Sequence, residues 1–338
     1  MQQSEPPPGR SDGDGSTAHL PDDVACRLDG GPQDDAIDAA ARTRLDGVDE
    51  TRKVEVPRAL PEIPGIDVRR VVGTGSSGTV YLGRRKTSGR PRVAVKVLAA
   101  SLRGTVVEER FRREVEITSR LDCVHIVKTT AAGVTDGLPF VVSDWVAGRS
   151  MTGLGPIAVG DAVAVGRQMA IALTHMERAG VVHRDVKPGN IVSDGADRGG
   201  LRATLIDFGL ARGPDDDETE HGLLSPRQSL GSPNYLAPEQ LEHPGRVDCR
   251  ADLYALGSTL YELICGRPPF VGKPRDVLQA KLSGDPACPI ESRVDGLPAD
   301  LPELVGRLLR IDREGRPGSP REVLDTFRDI ETRLSDAG

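Results

Sequence analysis

From Ile66 onward the hydrophobic positions fall into a readable order. "IDVRRVVGTG" and "GTVYLGRR" mix β-branched and polar residues in short runs and read as two strands joined at glycines; "RPRVAVKVLAA" reads as a third. "VVEERFRREVEITSRL" is charged with helical spacing, and "IVKTTAAGV" and "LPFVVSDWV" return to strand character. After Gly153 the pattern turns mostly helical. In "IAVGDAVAVGRQMAIALTHMERAG", Val165, Met169, Ala172, Leu173 and Met176 share one helical face, and Gly180 is a natural stop. "ADLYALGSTLYELICG" is apolar on more than one face, the mark of a helix inside a domain. A strand-rich part followed by a larger helical part predicts an α+β arrangement with a cleft between them.

Residues 1–60 break this pattern. They are rich in Pro, Gly, Asp, Ser and Arg, lack a hydrophobic period, and carry 13 acidic against 7 basic side chains. They read as a disordered acidic tail and linker. The rest of the chain is close to neutral, so a basic nucleic-acid footprint is not expected. In the whole chain 37% of residues are hydrophobic and only 3% aromatic, so the core must rest on Leu, Val, Ile and Ala. No apolar run approaches the roughly 18–20 residues of a membrane span, and the first residues lack the basic and apolar regions of a signal peptide. The 5 cysteines are scattered with no C-x-x-C spacing, which disfavours a disulfide framework or zinc site. These features predict a cytoplasmic protein without membrane or nucleic-acid partners.

Gly73, Gly75 and Gly78 spell G-x-G-x-x-G. In a dinucleotide-binding fold such glycines open a helix; here strand formers follow. A Walker A loop needs a terminal G-K-[ST], which is absent. A glycine-rich hairpin over a nucleotide remains, with a plain hairpin as the alternative.

Four further motifs follow in order: "VAVK" (Val93–Lys96), "HRDVKPGN" (His183–Asn190), "DFG" (Asp207–Gly209) and "APE" (Ala237–Glu239). With the glycines they form the signature set of protein kinases. From about Ile66 to about Glu331 the sequence resembles the protein kinase superfamily, and most closely the eukaryotic-like serine/threonine kinases of bacteria. The resemblance implies a two-lobed kinase fold, with a small β-rich N-lobe over residues 61–148, a larger helical C-lobe over 149–332, and a C-terminal tail over 333–338.

The resemblance also implies roles. Gly73, Gly75 and Gly78 would cover the phosphates of ATP, and Lys96 would contact them. Lys96 would be held by a glutamate on the next helix; "RFRREVEI" offers Glu114 and Glu116, and the family pattern favours Glu114. Asp185 would orient the acceptor hydroxyl or take its proton, and Lys187 would neutralise the γ-phosphate. Asn190 and Asp207 would hold Mg²⁺. Val80 and Ala94 would roof the adenine, Val192 would floor it, and the backbone of Asp144 and Val146 would meet its edge. Ser143 stands at the gatekeeper position, where a small side chain leaves the back of the pocket open.

Glu239 with Arg316, and Asp252 beneath the catalytic loop, match structural braces of the family. Thr118 departs from the pattern, since relatives place an apolar residue there to join the lobes; the departure is expected to weaken the active position of its helix. The stretch from Asp207 to Glu239 holds an acidic run, Asp215–Glu220, and four Ser or Thr hydroxyls, Thr219, Ser225, Ser229 and Ser232, of which Ser229 and then Ser225 are the expected activating phosphosites. Ser232 is expected to be a structural hydroxyl. The implied partners are proteins with Ser or Thr acceptors, and a homodimer for trans-autophosphorylation is a candidate assembly. The competing functions are a pseudokinase scaffold, disfavoured because Lys96, Asp185, Asn190 and Asp207 are all present, and a small-molecule kinase, disfavoured by "GSPNYLAPE".

Overall fold

The computed structural model describes residues 59–75, 77–195, 201–208, 211–212 and 233–336. The acidic run and Thr219, Ser225, Ser229 and Ser232 lie outside the described residues, as does the tail up to residue 58.

Five antiparallel strands form the first sheet: β1 (Ile66–Gly75), β2 (Gly78–Arg85), β3 (Arg92–Leu98), β4 (Thr129–Thr135) and β5 (Leu138–Asp144), in the order β1-β2-β3-β5-β4. Alternation gives the sheet two faces. Tyr81, Val93, Val95, Phe140 and Val142 pack with Ile63 and Ile66 on the outer face. Leu98 and Val141 face the other way, onto Phe111 of helix α1 (Val106–Arg120). Thr105 caps α1 by accepting the Val107 N–H at 3.2 Å. Gly78 is required by close approach: a Cβ there would sit 2.0 Å from the Val97 carbonyl oxygen.

The expected strand "IVKTTAAGV" starts late. Ile126 bridges Leu205 in parallel, and the Val127 N–H donates to the Leu205 carbonyl at 2.9 Å. Its first residues therefore tie the sheet to the helical lobe before β4 begins at Thr129.

Beyond β6 (Arg149–Ser150) the described residues are mostly helical: α2 (Val159–Arg178), α3 (Pro238–Glu242), α4 (Cys249–Cys265), α5 (Pro274–Leu282), α6 (Asp300–Leu308) and α7 (Pro320–Asp336). The five α2 residues expected on one face are all buried, and Gly180, at φ +69°, follows the helix end. Helix α4 is buried from Ala251 to Tyr261 without a break, as its all-round apolarity predicts. Each fully buried Leu or Val contributes about 1.5–3 kcal/mol relative to exposure. Helix α7 runs through Asp336, so the boundary expected at residue 332 falls inside it. A small sheet has the order β6-β7-β8, with β7 (Ile191–Ser193) and β8 (Ala203–Leu205), and its Ile191, Ala203 and Leu205 join the core of the helices. Among the described residues no helix is long and apolar enough to cross a membrane.

Candidate active site

Lys96 lies on β3 between Val95 and Val97, which are buried on the outer face, so its side chain emerges on the α1 side. There its Nζ donates to both carboxylate oxygens of Glu114, at 3.1 and 2.7 Å, and to Asp207 Oδ1 at 3.2 Å. Glu114 also accepts the Phe208 N–H at 3.4 Å. Glu116, the other candidate, points outward to Arg120 at 2.5 Å. Burial works against the Lys96 charge, but the carboxylates of Asp207 and Glu114 outweigh it and hold the ammonium above its usual range. Three sequence-distant segments thus meet at one cation.

Thr118, one turn beyond Glu114, is buried. Its hydroxyl bonds the Glu114 carbonyl at 2.7 Å and the Thr129 hydroxyl at 2.7 Å. The polar side chain is satisfied where an apolar one was the pattern, and the Lys96–Glu114 pair is formed beside it.

The loop 183–190 is fixed from below. Both carboxylate oxygens of Asp252 accept backbone N–H groups, from His183 and Arg184, each at 2.7 Å. Arg184 takes φ +68° and Asp207 φ +64°, conformations that non-glycine residues adopt at a cost of about 1–3 kcal/mol each. On this support Lys187 Nζ lies 2.8 Å from Asp185 Oδ2, and Asn190 Nδ2 donates to the same oxygen at 2.8 Å and to the Asp185 carbonyl at 2.8 Å. Burial raises the Asp185 pKa, while Lys187 and Asn190 oppose that rise. Asp185 is thus a carboxylate held in place by two donors.

Register places the remaining positions. Val80 stands opposite Lys96, and Ala94 lies between Leu82 and Ser143, so these side chains share the α1-side face. Ser143 is in turn opposite Thr129, which leaves a row of small side chains. Val192 sits on β7 between Ser150 and Thr204. Asp144 donates its N–H to the Lys128 carbonyl at 3.0 Å, and Val146 follows two residues on. Gly73 pairs with Val80 and Gly75 with Gly78, closing the hairpin.

Below the loop, Arg316 pairs with Glu239 through two bonds of 2.6 and 2.9 Å. It donates further to the carbonyls of Arg310, Arg250 and Ile311, at 2.7, 3.0 and 3.0 Å. All five guanidinium donors are used. Sequence reasoning missed three polar contacts: Thr129 on Thr118, Tyr235 on Glu262 at 2.5 Å, and Lys281 on the strip before α3. Each joins segments far apart in the chain. Only Lys281 left a trace, as a charge four residues from the buried Val277.

The donor set fits a hard cation. Asp207 offers a half-exposed carboxylate, and Asn190 has its amide nitrogen committed to Asp185, which leaves the amide oxygen for a metal. Among the described residues no cluster of three His, Cys, Asp or Glu side chains could hold a metal ion by itself.

A paired lysine from β3, a held carboxylate from the loop 183–190 and a half-exposed carboxylate at Asp207 thus make up the site. Residues 66–327 match the protein kinase domain, and the chain belongs to that family. It is 35% identical over 282 residues to the serine/threonine-protein kinase pkn2 of Myxococcus xanthus, covering 79% of this chain and 32% of that protein. It is 34% identical over 292 residues to PknK of Mycobacterium bovis, covering 84% and 25%. It spans about a third or less of the length of these two relatives. Among solved structures, the PknI kinase domain of Mycobacterium tuberculosis superposes with a TM-score of 0.59 at 29% identity, over 80% of this chain and 97% of that one.

Proposed function

We propose that the chain transfers the γ-phosphoryl group of ATP to serine or threonine hydroxyls of proteins. The convergence of Lys96, Glu114 and Asp207 opposite Asp185, Lys187 and Asn190 carries the reading. Phosphoryl transfer asks a protein chiefly for positioning and charge neutralisation. Lys96 neutralises and orients the phosphates, and Glu114 fixes its ammonium. The hairpin Gly73, Gly75 and Gly78 approaches the phosphates with backbone N–H groups. Mg²⁺, when bound, neutralises phosphate charge; Asn190 and Asp207 offer the oxygens for it. Asp185 orients the acceptor hydroxyl as an ionised carboxylate, and Lys187 supports that charge.

Val80, Ala94 and Val192 line the adenine slot. Because the Asp144 N–H is already donated, its carbonyl meets the adenine edge, together with the Val146 N–H. Activation by phosphorylation of Ser229 or Ser225, trans-autophosphorylation in a homodimer, and a cytoplasmic location belong to the same proposal. Relatives named as serine/threonine kinases, and Lys187 two residues after Asp185, support the acceptor class.

The test is purified chain with labelled ATP, Mg²⁺ and a generic basic protein. Wild type should place phosphate on Ser or Thr, whereas Lys96→Met and Asp185→Asn should not. Labelled product at wild-type yield from both variants would remove the reading.

A further inference from the structure

The strip Pro233–Leu236, just before α3, turns carbonyls inward. Lys281 on α5 meets three of them: its Nζ donates to the carbonyl oxygens of Pro233 at 2.8 Å, Asn234 at 3.0 Å and Leu236 at 2.7 Å. The residue is 0% exposed. An ammonium has three N–H donors, so each finds a carbonyl. Val277 and Lys281, four apart and both buried, put the lysine stem on the inner face of α5. The ammonium also lies 4.9 Å from the Tyr254 ring centroid and 5.5 Å from that of Phe270.

A buried cation is a demanding way to fill this space. Burial pushes the Lys281 pKa down to about 7, the Arg316 guanidinium acts in the same direction, and Glu239 opposes. A methionine would fill a similar volume with no charge to desolvate. It could not, however, gather three carbonyls from four consecutive residues. The ammonium therefore fixes a backbone path that apolar packing alone would leave open.

That path borders the catalytic loop. The Tyr235 hydroxyl is near enough to Asp185 for the carboxylate to raise its pKa, after burial and Glu262. Gln240, one turn into α3, donates its Nε2 to the Arg184 carbonyl at 3.1 Å. The strip and the start of α3 are thus tied to the loop that carries Asp185.

We infer that Lys281 is a positioning residue for protein substrates: it holds strip 233–236 in the shape on which an extended acceptor peptide lies. It thereby sets peptide binding and the preference for the residue beside the acceptor, without acting on ATP. The inference rests on the kinase reading above.

The test compares the full chain with Lys281→Met and Lys281→Arg. It measures thermal melting, the KM for ATP, ATP hydrolysis without peptide, and phosphorylation of a Ser/Thr peptide library varied beside the acceptor. Lys281→Met leaves three carbonyls unpartnered and should raise the KM for the best wild-type peptide about tenfold, flattening the preference. Its ATP hydrolysis and ATP KM should stay within about twofold of wild type. Lys281→Arg keeps the charge, but its planar fork cannot match three converging carbonyls. It should alter the peptide preference with hydrolysis intact, and it decides the matter if Lys281→Met does not fold. A parallel fall of hydrolysis and peptide phosphorylation in a folded variant overturns the inference, as does an unchanged peptide KM and preference. A wild type that hydrolyses ATP yet phosphorylates no peptide or protein overturns the kinase reading itself.

Discussion

The Lys96 cluster and the Arg316 cluster use the same chemistry, a cation paired with a buried glutamate, for opposite ends. Arg316 is enclosed within the helical lobe with all five donors matched. Lys96 joins three segments across the lobes, and one partner, Asp207, is half exposed on a strained backbone. The first arrangement has no reason to change. The second presents charges that phosphate and metal can engage. Both cations have every donor matched; the exposure and backbone strain of one partner, and not charge or bond count, separate site from brace.

The largest expected effect lies at the brace. Arg316→Leu leaves Glu239 buried and unpaired and should cost about 3–5 kcal/mol of unfolding free energy in urea melts. A smaller loss would mean that Glu239 finds water or another partner. At the site, Lys96→Met should cut phosphoryl transfer by about 10²-fold or more. It should lower stability by less than Arg316→Leu does, because burial already favours the neutral form of Glu114 and the Phe208 N–H remains its partner. A variant that loses activity and as much stability as Arg316→Leu would place Lys96 with the braces.

Third comes pH. Burial holds the His183 ring neutral and pushes its pKa down to about 4 from 6.5, with Asp207 opposing and Lys187 assisting. Its folded value lies below its unfolded value, so its contribution is complete above pH 6.5 and is lost as pH falls toward 4. Between pH 7 and pH 5 this loss should be about 2 kcal/mol. Asp252, raised to about 6 by burial against its two N–H bonds, shifts in the opposite sense over the same range. His183→Phe isolates the histidine share: its urea stability should fall less between pH 7 and pH 5 than that of wild type. Equal slopes would show that the ring takes up a proton in the fold.

The smallest effect concerns the row Ala94, Ser143 and Thr129. Ser143→Met should spare ATP turnover while weakening inhibitors with a large aromatic group behind the adenine. Equal inhibition of both forms would mean that ligands do not pass residue 143.

The strands were legible because alternation around Tyr81, Val93 and Val95 writes the sheet faces directly into the sequence. The cleft residues were legible because the motifs keep fixed order and spacing. The choice of Glu114 over Glu116 needed the resemblance, since both lie on one charged helix. The contacts of Thr129 and Lys281 were hidden, because their partners lie 11 and 45 or more residues away. The departure of Ile126 and Val127 from the sheet was hidden for a related reason: their apolarity fits a strand, and only the tertiary bond to Leu205 decides otherwise.

The most direct measurement is the single-turnover rate of phosphate transfer to a protein acceptor by Asp185→Asn beside wild type, with melting curves on the same samples. The substituted amide keeps the shape of the carboxylate but carries no charge to orient the hydroxyl or accept its proton. The rate should fall by about 10²-fold or more with the melting temperature held. A rate within a few-fold of wild type would contradict the assignment of the cleft as the place where the phosphoryl group moves.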